Sequence, residues 1–224
     1  MIRNMKNLLE TSFVQRLFGK KYAELVDSVS YKLLRSDGDY KEYVASQIVK
    51  SYSKSDRLRF WRLGGRTELI REMNKVLPRN GVLRILCVGC RDTRELKNTA
   101  KICGVANVQG IDLFSVDSKI VAGDMHCMPF DKEFDALISC DNLEHAYDPS
   151  KALSEFRRVV KDNGLIGIQV PVNYATTNVD RHDYKSIEHL LQLLNLKKEA
   201  VAFSALVQGK NSQKLRVIVG NTPA

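Results

Sequence analysis

Two patterns of hydrophobic and polar residues divide the chain near residue 80. Before this point, apolar residues recur at helical spacing and predict three helices, the last of them around Leu69 and ended by Pro78. After it, short apolar runs alternate with amphipathic stretches, which is typical of the strands and helices of an α/β protein. We therefore predict a helical N-terminal extension over residues 1–80 and an α/β domain over residues 81–224.

Seven short apolar runs predict the strands of the second part. They are residues 83–88, 108–112, 120–124, 134–140, 165–170, 200–207 and 215–219. The first five alternate in places with helical stretches, at 94–103 and 152–160, and this alternation favours a parallel sheet. The last two are joined by a polar loop at 208–214 and predict an antiparallel hairpin. The expected fold is a doubly wound, mostly parallel, Rossmann-like sheet of seven strands.

One connection in this scheme is unusually short. Only residues 113–118 join the second and third predicted strands. A parallel crossover must run back along a strand of roughly 17 Å, and six extended residues span about 20 Å. The connection is therefore feasible but has no room for a helix, and we expect one face of the sheet to lack cover there. We expect the N-terminal helices or a second subunit, as in a homodimer, to cover it.

Composition excludes several classes of protein. Of the 224 residues, 44% are hydrophobic and 27% charged, which excludes a disordered or collagen-like chain. No stretch approaches the roughly 20 apolar residues of a membrane span, and basic residues interrupt the apolar ones near the N-terminus, unlike a secretory signal. The five cysteines are scattered between Cys87 and Cys140, which is typical of reduced thiols. We expect a soluble, cytoplasmic protein.

Charge is distributed unevenly between the two parts. Residues 1–80 hold 17 Lys and Arg against 9 Asp and Glu, whereas residues 81–224 hold 18 against 17. A basic segment attached to a nearly neutral one indicates an anionic partner, such as a phosphorylated small molecule, nucleic acid or an acidic membrane surface. A solvated helical face would give the same balance.

A glycine and an acid stand where an α/β sheet binds nucleotides. Gly89 follows the first strand, where the backbone can approach a ligand closely, and Asp112 ends the second strand, where it can accept hydrogen bonds from ribose hydroxyls. Their separation is close to the roughly 20 residues of such an arrangement. This pair is compatible with nicotinamide and adenosyl cofactors alike.

The strings that follow separate the two cofactors. Gly123-Asp124 precedes Pro129-Phe130, Leu143-Glu144-His145 follows the fourth predicted strand, and an Asn163-Gly164 turn precedes the fifth. In order and spacing, residues 83–172 resemble the class I S-adenosylmethionine-dependent methyltransferases, specifically the compact type 11 family. The resemblance implies a transferase whose cofactor is S-adenosylmethionine, and we expect no metal site.

The resemblance also implies roles for individual residues. Gly89 would lie beside the methionyl moiety of the cofactor, Asp112 would bind the ribose, and Asp124 with Met125 would bind the adenine. Cys140 and the residues after it would line the face where the methyl group is transferred. The cofactor-binding residues predicted in this way are Cys87, Gly89, Arg91, Asp112, Leu113, Asp124, Met125 and Cys140.

The first loop departs from the family's glycine-rich pattern. Cys87 stands in place of an acid, and Arg91 and Thr93 replace glycines. S-adenosylmethionine has no pyrophosphate that needs such glycines, and Arg91 could pair with the cofactor's carboxylate. Cys87 and Cys90 also form a Cys-x-x-Cys pair, but the other cysteines stand alone and a strand position is unusual for a redox pair. We therefore expect core thiols.

The histidines differ in their expected roles. His145 is the candidate general base, with Asp141 behind it, although a structural hydrogen bond is an equal alternative. His182 lies in a polar loop after the fifth strand that could close over the substrate. We predict no chemical role for His126 and a structural role for His189.

The basic N-terminal segment indicates what kind of acceptor the protein would methylate. Arginines suit phosphate or carboxylate, and aromatic rings stack on a base or sugar, so we predict a lid that selects a small anionic or glycan-like acceptor, methylated at oxygen or nitrogen. The predicted acceptor-binding residues are Arg59, Trp61, Arg62, Tyr174 and His182. Two alternatives remain open: a non-catalytic adenosyl-binding subunit that activates a partner, and an RNA methyltransferase whose basic arm binds phosphates. No Asn-Pro-Pro-Tyr-type string follows the fourth strand, which argues against a DNA adenine methylase.

Overall fold

A seven-stranded sheet organises the part of the chain that the computed structural model describes, which is residues 39, 40, 43, 44, 47, 64–79, 81–115, 117–177, 180–209 and 213–222. The helices are α1 (Gly64–Val76), α2 (Thr93–Cys103), α3 (Pro149–Val159) and α4 (Ile187–Leu194), with 3₁₀ turns at Leu143–His145 and Lys198–Ala200. The strands are β1 (Arg84–Val88), β2 (Asn107–Asp112), β3 (Ile120–Ala122), β4 (Phe134–Cys140), β5 (Val160–Val172), β6 (Val201–Gln208) and β7 (Gln213–Gly220).

The strand order is β3-β2-β1-β4-β5-β7-β6. β1 to β5 run parallel, and β7 is antiparallel to both β5 and β6. The predicted fold, including its terminal hairpin, is therefore confirmed. At the end of β1, Val88 is in register with Ile111 of β2 and Ser139 of β4. The carboxyl ends of three strands thus meet at one edge of the sheet, which is where parallel sheets bind ligands.

Some predicted boundaries were wrong. β3 ends two residues early, because Asp124 leaves the strand and forms a bridge across a tight turn to Cys127. β5 begins at Val160, directly after α3, and not at residue 165. The polar residues Gln208 and Gln213 pair with each other as strand residues, so the hairpin loop is shorter than predicted. In β5 and in the hairpin, backbone pairing across the ladder overrides local polarity.

The two faces of the sheet form separate apolar clusters. Side chains alternate along β1, so Ile85 and Cys87 point to one face while Leu86 and Val88 point to the other. The first face packs against α1 and α2 and the second against α3 and α4. Each cluster is covered by helices, which explains why the strand sequences are apolar without interruption.

Side-chain caps fix where the helices begin. Asp92, Asp148 and Ser186 accept hydrogen bonds from backbone N–H groups in the first turns of α2, α3 and α4. These caps satisfy donors that have no partner within the helix. α2 ends at Gly104, whose φ of 65° lies in the left-handed region that favours glycine.

The short crossover from β2 to β3 runs without a helix in its described residues, as predicted. The expected lack of cover was wrong. Ile120 of β3 is only 2% exposed, and it approaches Leu96 of α2 over Gly110, where the missing side chain leaves room for both. Phe114, within the crossover, is 1% exposed. α2 therefore covers Ile120, and cover of the rest of this face by the N-terminal helices or a second subunit stays a prediction.

α1 packs directly onto the sheet. Its residues Leu69, Ile70 and Met73 are completely buried, and Met73 approaches the backbone of β5 at Gly167. The division of the chain at residue 80 stays a prediction, and the earlier predicted helices lie largely outside the described residues. Within the described part of the chain, no helix combines the length and apolarity that a membrane span requires.

Candidate active site

A cleft opens at the carboxyl edge of the sheet. The loops after β1, β2, β3 and β4 form its walls, and Tyr43 and Gln47 of the N-terminal part also line it. The cleft is lined by Tyr43, Gln47, Val88, Gly89, Arg91, Ile111, Asp112, Leu113, Gly123, Met125, Asp141, Asn142 and His145. Its position agrees with the general rule that open parallel sheets bind ligands beyond the ends of their central strands.

The structure brings many of the predicted site residues together. Those that line the cleft are Gly89, Arg91, Asp112, Leu113, Met125, Asp141 and His145. Those that lie outside its lining are Cys87, Asp124, Cys140, Tyr174 and His182. Arg59, Trp61 and Arg62 lie outside the described residues, so their predicted role in a lid stays a prediction.

The loops after β1 and β4 approach each other at Gly89. This residue has a φ of 65°, and a β-carbon on it would lie 2.5 Å from Nδ2 of Asn142. Asn142 is itself fixed, because Nδ2 donates to the carbonyl of Val88 and Oδ1 accepts from the hydroxyl of Ser139. A side chain at position 89 is therefore excluded by both backbone conformation and space.

Asp112 is held by the backbone at the end of β2. Its Oδ2 accepts from the N–H of Arg91 at 2.8 Å and its Oδ1 from the N–H of Leu113 at 2.8 Å. Burial raises the pKa of this carboxyl, while the two N–H groups act in the opposite direction. Each oxygen retains a lone pair with which to accept a further hydrogen bond. The orientation of Asp112 is thus set before any ligand binds.

Two buried donors in the cleft lack partners among the described residues. These are Nε2 of Gln47 and Nε of Arg91, and both residues line the cleft. Burying a donor without an acceptor is costly, so a ligand rich in acceptor atoms would satisfy them. Burial and the neighbouring Arg66 lower the pKa of Arg91, and an anionic ligand group would relieve that repulsion.

An ion pair connects α1 to the start of α2, which directly follows the loop after β1. Nη1 of Arg66 lies 2.6 Å from Oε2 of Glu95, which is in the first turn of α2 and only 1% exposed. Burial raises the pKa of Glu95, and Arg66 acts against this. The pair therefore ties the N-terminal helix to the segment that carries Gly89 and Arg91.

Asp124 binds protein groups beside the cleft. Oδ1 accepts from the backbone N–H of His126 at 2.9 Å, and Tyr40 donates its hydroxyl to Oδ2. Burial raises the pKa of Asp124, but the hydrogen bonds from His126 outweigh this effect and hold the pKa below its ordinary value. Met125, next to it, lines the cleft. Of the two residues predicted to bind the adenine, Met125 therefore lines the cleft, whereas Asp124 lies behind its lining.

His126 connects two loops, although we predicted no role for it in the chemistry. The N–H groups of Tyr147 and Asp148 donate to its Nε2 at 3.1 and 3.2 Å. Because Nε2 accepts, the ring proton is on Nδ1, which lies 2.6 Å from Oδ1 of Asp124. The imidazole therefore joins the loop after β3 to the segment before α3. Sequence spacing gave no signal for this contact.

Cys87 and Cys140 face away from the cleft. Both are completely buried in the cluster beneath α1 and α2, and burial raises the pKa of each thiol. Cys90 is buried in the same cluster, and all five cysteines are free. This placement is consistent with the expectation of core thiols. Cys87 and Cys140 could therefore contact a cofactor only through their backbone atoms.

Asp141 and His145 both line the cleft, each contacts another charged residue, and their catalytic role stays a prediction. Lys214 of β7 lies 2.7 Å from Asp141, and Nε2 of Gln169 donates to it at 3.1 Å. Nδ1 of His145 lies 3.0 Å from Oδ1 of Asp180. The partner of the histidine comes from the loop after β5, which sequence reasoning missed because the contact spans 35 residues.

Tyr174 and His182 fix this loop to the protein. The hydroxyl of Tyr174 donates to the carbonyl of His182 at 2.7 Å, and Nε2 of His182 lies 2.8 Å from the carbonyl oxygen of Ala146. Burial lowers the pKa of His182, which favours the neutral ring. In the described structure both residues hold the loop in place and contact backbone atoms outside the cleft.

An aromatic and cationic cluster surrounds Tyr43, which lines the cleft. The hydroxyl of Tyr43 donates to the carbonyl of His145. The guanidinium of Arg181 lies 5.5 Å from the ring centre of Tyr43 and 4.9 Å from that of Tyr147. Such cation–π contacts stabilise the packing of the segments they join, so this cluster links the N-terminal residues to the loop after β5.

Comparison with known proteins identifies the family of part of the chain. Residues 86–168 match a family profile described as "Methyltransferase domain", which confirms the resemblance to class I S-adenosylmethionine-dependent methyltransferases for that part of the chain. No curated protein is similar enough in sequence to count as a match.

Solved structures with low sequence identity share the fold. A chain of the complex between the Haloferax volcanii Trm112 methyltransferase activator and a methyltransferase has a TM-score of 0.57 at 13% identity, covering 84% of this chain and 100% of that one. Burkholderia thailandensis 1,6-didemethyltoxoflavin-N1-methyltransferase, with bound S-adenosylhomocysteine, has a TM-score of 0.58 at 16% identity. The match covers 83% of this chain and 90% of that one. The N-methyltransferase NodS of Bradyrhizobium japonicum WM9, in complex with S-adenosylhomocysteine, has a TM-score of 0.55 at 18% identity. The match covers 77% of this chain and 99% of that one. The chain therefore has the class I methyltransferase fold.

Glu144 carries a buried carboxyl beside this site. It is 5% exposed, and its Oε2 has no partner among the described residues. Burial, followed by the charge of Asp141, raises its pKa from 4.5 to about 8. The folded protein therefore binds a proton here that the unfolded chain releases above pH 4.5.

This difference predicts how stability depends on pH. Between about pH 4.5 and 8 the folded state holds the extra proton, so the free energy of unfolding of the wild type should fall relative to that of Glu144→Gln as the pH rises. Urea denaturation at several pH values measures this difference. The exposed Glu68→Gln variant is the control and should follow the wild type. A difference between the wild type and Glu144→Gln that is constant across this range would contradict the assignment.

Proposed function

We propose that this protein is an S-adenosylmethionine-dependent methyltransferase that transfers a methyl group to an oxygen or nitrogen of a small anionic or glycan-like acceptor. The observation that carries the proposal is the cleft at the ends of β1, β2 and β4, where Gly89 leaves space and Asp112 presents an oriented carboxylate. The family profile over the same strands supports it.

The residues of the cleft suit the parts of the cofactor. Asp112 would accept hydrogen bonds from the ribose hydroxyls, and Met125 would pack on the adenine. Arg91 would pair with the carboxylate of the methionyl group next to Gly89, since its buried Nε lacks a partner among the described residues. Asp124 would support this wall through its contacts with Tyr40 and His126.

When bound, the cofactor supplies an electrophilic methyl group on a sulfonium that is a good leaving group. The protein must then align the acceptor with that carbon and exclude water. Asp141 and His145 line the cleft at the end of β4, on the side we assign to the acceptor. Tyr43 and Gln47 line it from the N-terminal side, which supports a cover that includes the predicted Arg59, Trp61 and Arg62.

A second candidate is a subunit that binds the adenosyl group and acts with a partner protein. The departure of the first loop from a glycine-rich pattern and the fold shared with a chain of the Trm112 complex favour it. Cofactor binding without transfer to any acceptor would distinguish it from the enzyme.

Gly89 offers a matched test of the cofactor site. Gly89 and Gly104 both have a φ of 65°, but a β-carbon would meet Asn142 at the first position and nothing within 4 Å at the second. Both alanine variants accept a backbone strain of about 1–2 kcal/mol. We expect Gly89→Ala alone to lose affinity for S-adenosylhomocysteine by at least tenfold in calorimetry. Equal affinities of the two variants would contradict the placement of the methionyl group.

Transfer itself is tested by mass spectrometry. Purified protein is incubated with S-adenosylmethionine and a panel of phosphorylated, acidic and glycan-like compounds, and with RNA as a separate arm. We expect a mass increase of one methyl group, about 14 Da, on a small acceptor, and none with Gly89→Ala. Methylation of RNA alone would contradict the proposed acceptor class, and binding without transfer to any compound would favour the partner-subunit alternative.

A further inference from the structure

We propose that Lys214 and Arg216 of β7 form the site that binds the anionic group of the acceptor, a phosphate or a carboxylate. This inference rests on the proposed function and deepens it, because it assigns the charge of the acceptor to two residues that the sequence pattern did not single out. Both residues belong to the described part of the chain, and Lys214 contacts Asp141 in the lining of the cleft.

Lys214 and Arg216 point to the same face of the sheet. Side chains alternate along a strand, and their neighbours Leu215 and Val217 belong to the apolar cluster beneath α3 and α4. The two cations therefore lie on the opposite face, roughly 7 Å apart along the strand. At this spacing their charged groups can reach the same anion.

Arg216 is oriented through the inner nitrogen of its guanidinium. Nε donates to Oε1 of Gln169 at 2.8 Å, and Gln169 is completely buried. Nε2 of Gln169 in turn donates to Oδ2 of Asp141 at 3.1 Å, which connects the guanidinium to the wall of the cleft. Nη1 and Nη2 donate to no other described residue, and these two nitrogens form the fork that binds a carboxylate or phosphate bidentately.

The charge of Arg216 has no acidic partner among the described residues. Its side chain is half-buried, and none of the ion pairs found in the described part of the chain includes it. Its neighbours in register are Gln169 of β5 and Ala205 of β6, and β6 carries no charged residue along its length. Removing a charge from water without a counter-ion is unfavourable, so an anionic ligand group would supply what the neighbouring strands lack.

Lys214 prevents Asp141 from repelling such a group. Nζ of Lys214 donates to Oδ1 of Asp141 at 2.7 Å, so the charges of these two residues cancel and the charge of Arg216 remains. The ammonium of Lys214 also keeps further N–H donors for a ligand. Because Asp141 lines the cleft, an acceptor held at β7 by its anionic group would have its other end at the cleft.

A purely structural network would make a different use of these residues. Lys214 and the amide of Gln169 would suffice to hold Asp141, and the terminal nitrogens of Arg216 would have no task. The anion site requires those nitrogens. The tests therefore change Arg216 and leave Lys214, Gln169 and Asp141 as they are.

Inorganic phosphate gives a direct test without any acceptor. It is titrated at constant ionic strength into protein saturated with S-adenosylhomocysteine, which keeps phosphate out of the cofactor site, and ¹H–¹⁵N NMR follows the side-chain amide of Gln169. We expect a saturable shift of this signal in the wild type. Phosphate should bind at least tenfold more weakly to Arg216→Gln, because a charge-assisted hydrogen bond is lost.

The control for this titration is Arg71→Gln, since Arg71 is exposed on α1 and pairs with Glu68. It should bind phosphate as the wild type does. If Arg216→Gln does not fold, Arg216→Lys replaces it, because lysine keeps the charge but lacks the fork. The absence of a saturable shift in the wild type, or equal phosphate affinities of the wild type and the Arg216 variant, would overturn the proposal.

Kinetics on the acceptor identified by mass spectrometry complete the test. We expect Arg216→Gln to raise KM for an anionic acceptor at least tenfold, with kcat and the affinity for S-adenosylhomocysteine within about twofold of the wild type. The same compound without its phosphate, or with its carboxylate esterified, should show equal KM values in both proteins. An unchanged KM for the anionic acceptor, or an equal rise for the neutral one, would overturn the proposal. If the wild type binds no S-adenosylhomocysteine, the proposed function fails, and the phosphate titration without it still decides the anion site.

Discussion

The site depends on the close approach of the loops after β1 and β4. Gly89 has no side chain, and Asn142 occupies the space that a β-carbon would take. The amide of Asn142 is fixed by the carbonyl of Val88 and the hydroxyl of Ser139, so the two loops hold each other at a set distance. Because β1 lies between β2 and β4 and pairs with both, Asp112 stands across β1 from the residues at the end of β4.

Around this contact, most charged groups already bind protein partners. Asp124 binds Tyr40 and His126, Asp141 binds Lys214 and Gln169, and Glu95 binds Arg66. Such networks are favourable only when their members are satisfied. Among the described residues, the groups that remain for a ligand include the oxygens of Asp112 and the unsatisfied donors of Gln47 and Arg91. This division separates the residues that bind a cofactor from those that build the walls.

Much of the fold could be predicted from the sequence because its signals are local. Uninterrupted apolar runs mark strands buried on both faces, and the short link after Asp112 excludes a helix between β2 and β3. Gly89 and Asp112 were predicted for the cleft from their places at the ends of strands, and both line it. An apolar run does not reveal which side of the sheet a residue faces, and Cys87 and Cys140 therefore turned out to point into the core.

The contacts that the sequence did not reveal join residues far apart in the chain. Asn142 was missed because its importance comes from Gly89, and Asp180 because a loop of polar residues carries no periodicity. Tyr43 and Gln47 reach the cleft from a helical segment before α1, and no spacing rule places them there. In each case tertiary packing brings together groups whose separate positions carry no local signal.

The central claim is that the end of β2 binds the ribose of an adenosyl cofactor through Asp112. Isothermal titration of S-adenosylhomocysteine into the wild type and Asp112→Ala tests it most directly, with Asp117→Ala as the matched control, because Asp117 is exposed and accepts a backbone N–H from Lys119 in the same crossover. The account predicts binding that weakens at least tenfold in Asp112→Ala and is unchanged in Asp117→Ala. A wild type that prefers a nicotinamide dinucleotide, or equal affinities for all three proteins, would contradict it.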